Sequence, residues 1–140
     1  MGIGNETNGD DAAGVIAARA LLPRLAGRDD RLVLDAGAAP ENFTGPVRRF
    51  QPDLVILIDA AQMDEAPGAV CWLDWTETDG MSASTHTLPP YVLAKFLVAD
   101  TGCELALIGI QPAQNAFGAP LSPVVAGAVE DVVNTLAGAL

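Results

Sequence analysis

The sequence predicts an α/β fold, a three-layer α/β/α sandwich around a mostly parallel sheet, on three observations. The run Val55-Ile56-Leu57-Ile58 is apolar without alternation, the pattern of a strand covered on both faces. Short apolar runs of this kind alternate along the chain with stretches of helical period, which is how crossover units are written. The chain has 140 residues, half of them apolar and 18% charged, enough to bury one core and too apolar to stay disordered. One domain spanning residues 1–140 is therefore expected, without repeats or low-complexity tracts.

The elements follow in order. Met1 to Asn5 reads as the tail of a strand entering a glycine-bearing turn, and Asn8-Gly9 continues that turn. Asp10 and Asp11 open a helix to about Leu25, with Val15, Ala18, Leu22 and Leu25 as its apolar stripe and the acids complementing its dipole. Arg31 to Asp35 is a second strand that ends on a carboxylate, and Ala36 to Asn42 a loop. A modest helix to about Phe50 follows, with Pro46 in its early part. The central strand Val55–Ile58 ends at Asp59. Gly68 to Leu73 is a further strand, placed at an edge, and 75–87 is a polar surface loop that carries the only histidine, His86. Pro89 and Pro90 suit the first turn of a helix that Gly102 stops. Glu104 to Ile110 is the last strand. After a proline-bearing loop, the closing helix buries Val125, Val129, Val132, Leu136 and Leu140 and turns Glu130, Asp131 and Asn134 to water.

Composition excludes several functions. Eighteen acidic against seven basic residues give a net charge of −11, which disfavours nucleic acid and anionic membrane surfaces as partners. Cys71 and Cys103 have no CxxC spacing, so reduced thiols in the cytosol are expected. No secretory signal pattern and no apolar run near the roughly 20 residues of a membrane span is visible, so a cytoplasmic protein is expected. A GxSxG elbow and an HExxH pair are both absent, which argues against serine nucleophiles and zincin chemistry.

Three groups remain for chemistry. Strand ends in open α/β sheets collect ligands, so Asp59 stands where a site is expected, although a turn-capping Asp would look the same. Asp11 follows the first strand and His86 precedes a later helix. Two carboxylates and one imidazole suit a borderline divalent ion such as zinc or nickel, with positions left open for water or substrate. A helix N-terminus near His86 would keep the imidazole neutral and able to bind metal. A lone exposed histidine without a role is the competing reading. The glycines at 2, 4 and 9, with Asp35 ending the next strand, also allow a nucleotide-binding or metal-sensing module without peptidase activity. Against nucleotide binding, the spacing is not GxGxxG and two acids occupy the helix start, where a pyrophosphate would be repelled.

Five strings in register decide among these. GIGNETNGDDAAG from Gly2 to Gly14, DAGAAPEN from Asp35 to Asn42, LIDA at 57–60, STHTLP from Ser84 to Pro89 and GIQP from Gly109 to Pro112 resemble the nickel-iron hydrogenase maturation proteases, closest to the hydrogenase 3 maturation endopeptidase branch. The resemblance implies a phosphorylase/hydrolase-like sandwich and a metal-dependent endopeptidase that removes the C-terminal extension of the hydrogenase large-subunit precursor once nickel is inserted. It places the metal-binding and catalytic roles on Asp11, Asp59 and His86, and makes Asp35 and Gly37, in the AGAA turn, candidates for gripping the extension. The nickel is implied to be the substrate's own, with zinc or cadmium able to substitute in vitro. The partner is then the NiFe large-subunit precursor, with no nucleic acid and no membrane insertion, and the protein a monomer or, as the alternative, a dimer. Two departures stand out: the strand before GIGN is truncated by four or five residues relative to the family, and Ala12 replaces the usual glycine after the paired acids.

Overall fold

The structure, a computed structural model, describes residues 1–77 and 88–140. Five strands form one sheet: β1 (Gly2–Ile3), β2 (Asp35–Gly37), β3 (Leu54–Ala60), β4 (Val70–Leu73) and β5 (Glu104–Ile110), in the spatial order β2-β1-β3-β5-β4. All neighbouring pairs run parallel except β4, which lies antiparallel on β5 as the edge strand. Helices α1 (Ala13–Arg24), α2 (Thr44–Phe50), α3 (Pro90–Thr101) and α4 (Pro123–Ala139) supply the outer layers.

The continuous apolar run of β3 is explained by what covers it. Ile58 packs with Ala13, Ala17 and Leu21 of α1 and with Val125, Val129 and Leu136 of α4 on one face. Leu57 and Val55 pack with Val47 of α2 and Leu93 and Leu97 of α3 on the other. Alternate residues of one strand thus enter two separate cores, so both parities must be apolar. Helix α1 can lie this close to the sheet because Gly14 has no side chain: a Cβ there would overlap the carbonyl oxygens of Ile58 and Ile3. Gly2 faces the same contact from the strand side, against the Gly14 carbonyl.

Several boundaries differ from expectation, for identifiable reasons. Residues 31–34 were expected to be a strand, yet β2 begins only at Asp35. β1 starts at Gly2, which pairs with Asp35, and among the described residues no strand pairs with Leu32 or Val33. The space left is a cavity of about 510 Å³ between 31–34 and Gln51–Ile56, with Leu21, Leu25 and Leu136 in its wall. Met1 reaches into its end, where its α-amino group donates to the Ile56 carbonyl at 2.8 Å. The first helix begins as a 3-10 turn, Gly9–Ala12, before α1 proper, and its stripe uses Leu21 where Leu22 was expected; Leu22 is exposed. A second 3-10 turn, Pro40–Phe43, precedes α2, and a third, Trp75–Glu77, interrupts the expected loop. In α4 the buried stripe is Val125, Val129, Val132 and Leu136, with Leu140 only partly covered at the chain end. No helix among the described residues is long and apolar enough to cross a membrane.

Candidate active site

Strand order reverses between β1 and β3. The chain leaves β1 for β2 on one side, and from β3 goes to the edge strand β4 and then to β5 on the other. Such a switch point leaves a crevice beyond the carboxyl ends of the two strands, because the crossover helices depart to opposite faces. The 3-10 turn after β1 delivers Asp11 to this crevice, and β3 delivers Asp59 as its penultimate residue.

Both acids hold protons more tightly than usual. Burial raises the Asp11 carboxyl above its ordinary value, against the opposing N–H of Asn5, which donates to Oδ2 at 3.2 Å. Asp59 is pushed up to about 8, first by burial and second by the negative charge of Asp11, with the Ala60 backbone N–H working in the other direction. Among the described residues no Lys or Arg forms an ion pair with either. Two like charges close enough to couple, partly dehydrated and without a cation of their own, form a site that favours a proton or a positive ion.

Asp10, next in sequence to Asp11, behaves in the opposite way. Its side chain is fully buried, yet burial, which would raise its carboxyl, is outweighed by four donors that hold it below the ordinary range. Oδ2 accepts from the backbone of Ala113 at 2.8 Å and Gln114 at 3.0 Å and from the Ser122 hydroxyl at 2.9 Å; Oδ1 accepts from the Ser122 N–H at 2.6 Å. The Ser122 hydroxyl, at the head of α4, serves Asp10 and makes no cap for the helix. Asp10 is thus not available to ligands.

The remaining expected site residues are distributed as follows. Asp35 lies at the start of β2, its Oδ2 paired with Arg19 Nε at 2.6 Å and its Oδ1 accepting from the Gly37 N–H at 3.2 Å. Arg19 also pairs with Glu6 at 2.6 Å, so Asp35 belongs to a surface chain of acid, base and acid beside the Gly4–Asp11 turn. Gly37 adopts φ +56°, its carbonyl accepts from the Gly4 N–H at 3.0 Å, and the space where a Cβ would project is open. His86 lies outside the described residues, and among those described no third His, Cys, Asp or Glu joins the two acids to complete a metal-binding group. Sequence reasoning missed Asp10 and Gln111 as fixtures of this corner. The only available signal was a paired acid of which the geometry needs just one.

An α/β sandwich with two proton-retaining acids at its switch point has the equipment of a hydrolase, and the comparisons with known proteins specify which. A family model described as HycI, hydrogenase maturation protease, matches residues 15–139. Hydrogenase 3 maturation protease of Escherichia coli strain K12 is 33% identical over 137 residues, covering 97% of this chain and 86% of that one. The crystal structure of the NiFe hydrogenase maturation protease HycI from Thermococcus kodakarensis KOD1 superposes with a TM-score of 0.88 at 34% identity, covering 98% and 87% of the two chains. The solution structure of the endopeptidase HycI from E. coli gives 0.86 at 33%, over 98% and 86%. The chain belongs to the hydrogenase maturation protease family. Its activity is that of an endopeptidase, and the reading as a non-peptidase nucleotide or metal-sensing module is set aside.

Proposed function

We propose that this endopeptidase removes the C-terminal extension of a NiFe hydrogenase large-subunit precursor already loaded with nickel, and that the precursor's nickel is the handle it recognises. The observation that carries this reading is the coupled pair Asp11 and Asp59, whose raised proton affinity marks a place in need of positive charge. Hard oxygen donors with a single imidazole, His86, are a sparse donor set, suited to sharing an ion that the substrate partly holds already. A divalent ion between the carboxylates would displace the proton that Asp59 retains near neutral pH and polarise a nearby carbonyl or water.

The chain's own contribution follows from the two proton affinities. With a divalent ion in place of that proton, a carboxylate of the pair would accept a proton from the attacking water and pass it on to the leaving amine. Gly37, without a side chain, and Asp35 border the same face as the Gly4–Asp11 turn and offer a backbone path and an acid to the extension.

Incubation with nickel-loaded precursor, followed by mass measurement of the released tail, tests the reading. Cleavage that requires nickel in the precursor and is lost in His86→Ala, with the fold retained, is expected. Equal cleavage of nickel-free precursor, or normal cleavage by His86→Ala, would overturn it.

A further inference from the structure

The GIQP segment has so far been given no task, and its glutamine is buried. Among the described residues only three polar side chains are buried: Asp11, Asp10 and Gln111. The first is in the acid pair. The other two fasten the same connection, the segment 111–122 between β5 and α4, to the two corners that carry the acids.

At the first corner, Asp10 holds Ala113, Gln114 and Ser122 through its carboxylate, and its own N–H donates to the Gln114 carbonyl at 2.9 Å. The Gly118 N–H adds a bond to the Thr7 carbonyl at 2.7 Å. At the second corner, Gln111 Oε1 accepts from the Met63 N–H at 2.7 Å and the Glu65 N–H at 3.3 Å, while its Nε2 donates to the Pro112 carbonyl. The Gln111 backbone bonds Gly68 and Ala69, and the Ala61 N–H donates to Ile110, closing the turn that follows Asp59. One connection is thus pinned at one end beside Asp59 and at the other beside Asp11.

We infer that Asp10 and Gln111 are positioning residues, and that the 111–122 connection is a brace that fixes the separation of the Asp11 and Asp59 carboxylates. The inference deepens the proposed function and rests on it only for the catalytic consequence; the geometric claim stands on the hydrogen bonds. Buried bonds of this sort fix position because each released donor would be left without water, which penalises any shift of the corner. Misplacement of reacting groups by about 1 Å is enough to cost on the order of a hundredfold in rate.

The test uses full-length Gln111→Met, which keeps side-chain length and removes both side-chain bonds to the second corner while leaving the backbone bonds to Gly68 and Ala69, with Asp10→Asn and the milder Ser122→Ala at the first. Crystal structures give the Asp11–Asp59 carboxyl separation, calorimetry gives the Kd for Ni²⁺, and precursor cleavage gives kcat and KM at a temperature where each variant is folded. Expected for Gln111→Met are a displaced 61–68 corner, a Kd for Ni²⁺ raised at least tenfold, a kcat lowered at least tenfold and a KM raised with the weaker grip on the nickel. Ser122→Ala, which removes one of four donors, gives a smaller change in the same direction and keeps the test open if Asp10→Asn does not fold. An unchanged carboxyl separation with unchanged kcat in both Gln111→Met and Ser122→Ala would overturn the inference. Wild-type protein that neither binds Ni²⁺ nor cleaves precursor, with the separation altered in the variants, would sink the functional reading and leave the brace standing.

Discussion

Asp11 and Asp59, 48 positions apart in sequence, meet at the switch point of the sheet, and the charge of the first raises the proton affinity of the second. The relationship is unfavourable to folding. A protein keeps such a pair only where something else gains from it.

The cost is measurable at Asp59. Its folded value of about 8 stands above the ordinary value of 3.8, so between these limits the folded state binds more protons than the unfolded one. Stability contributed by this group is therefore present at low pH and declines as pH rises from about 4 to 8. Asp59→Asn removes the decline. Relative to wild type, it should gain about 1–3 kcal/mol at pH 8 and nothing near pH 4 by urea denaturation, while losing precursor cleavage. Equal pH slopes for the two proteins would refute the assignment.

Removal of the neighbouring charge separates the two causes. In Asp11→Asn the Asp59 carboxyl should titrate lower than in wild type yet still above the ordinary value, because burial remains. Carboxyl carbon NMR reads this directly. Cleavage should fall by at least about a hundredfold in the same variant, the scale on which a positioned acid or base acts.

Two glycines give opposite results on alanine substitution. At Gly14 the new Cβ would meet backbone oxygens of Ile3 and Ile58, which cannot swing aside, so Gly14→Ala should cost about 3 kcal/mol or more and disturb Asp59, the next residue along β3. At Gly127, inside α4, the Cβ enters open space, and Gly127→Ala should stabilise by about 0.5–1 kcal/mol. Chemical denaturation of the pair checks both signs.

The Met1 amine titrates in the other direction from Asp59. Burial lowers it from 8.0 to about 6, so between those values the unfolded state holds the extra proton and stability rises with pH. Acetylation of the α-amino group should abolish this rise, an effect of about 2–3 kcal/mol between pH 6 and 8. A short apolar extension placed before Met1, able to lie in the 510 Å³ cavity beside β3, should raise the denaturation midpoint as well.

The sheet was legible because β3, β5 and the edge strand β4 are written in apolar runs that pair along their length, Leu54–Ala60 with Glu104–Ile110 residue for residue. Leu32, Val33 and Leu34 carry the same signal and form no strand, since strand formation needs a neighbour that local pattern does not encode. Asp59 was legible as a strand-end acid. The division of labour between Asp10 and Asp11 was not, because it depends on donors supplied by Ala113, Gln114 and Ser122, more than a hundred residues away. Asp35 was named through the resemblance as a candidate for gripping the extension, and its pairing with Arg19 was not legible, because the two lie 16 residues apart in the chain.

That distance has a bearing on how the molecule comes into being. The seat of Asp10 is assembled from residues 103 to 112 positions later, so a nascent chain that has emerged only through β3 has both acids but none of the donors that seat Asp10. Long-range closures of this kind are made late in folding. The ties from Asp10 to this corner therefore close only once the loop and helix that follow β5 are in place.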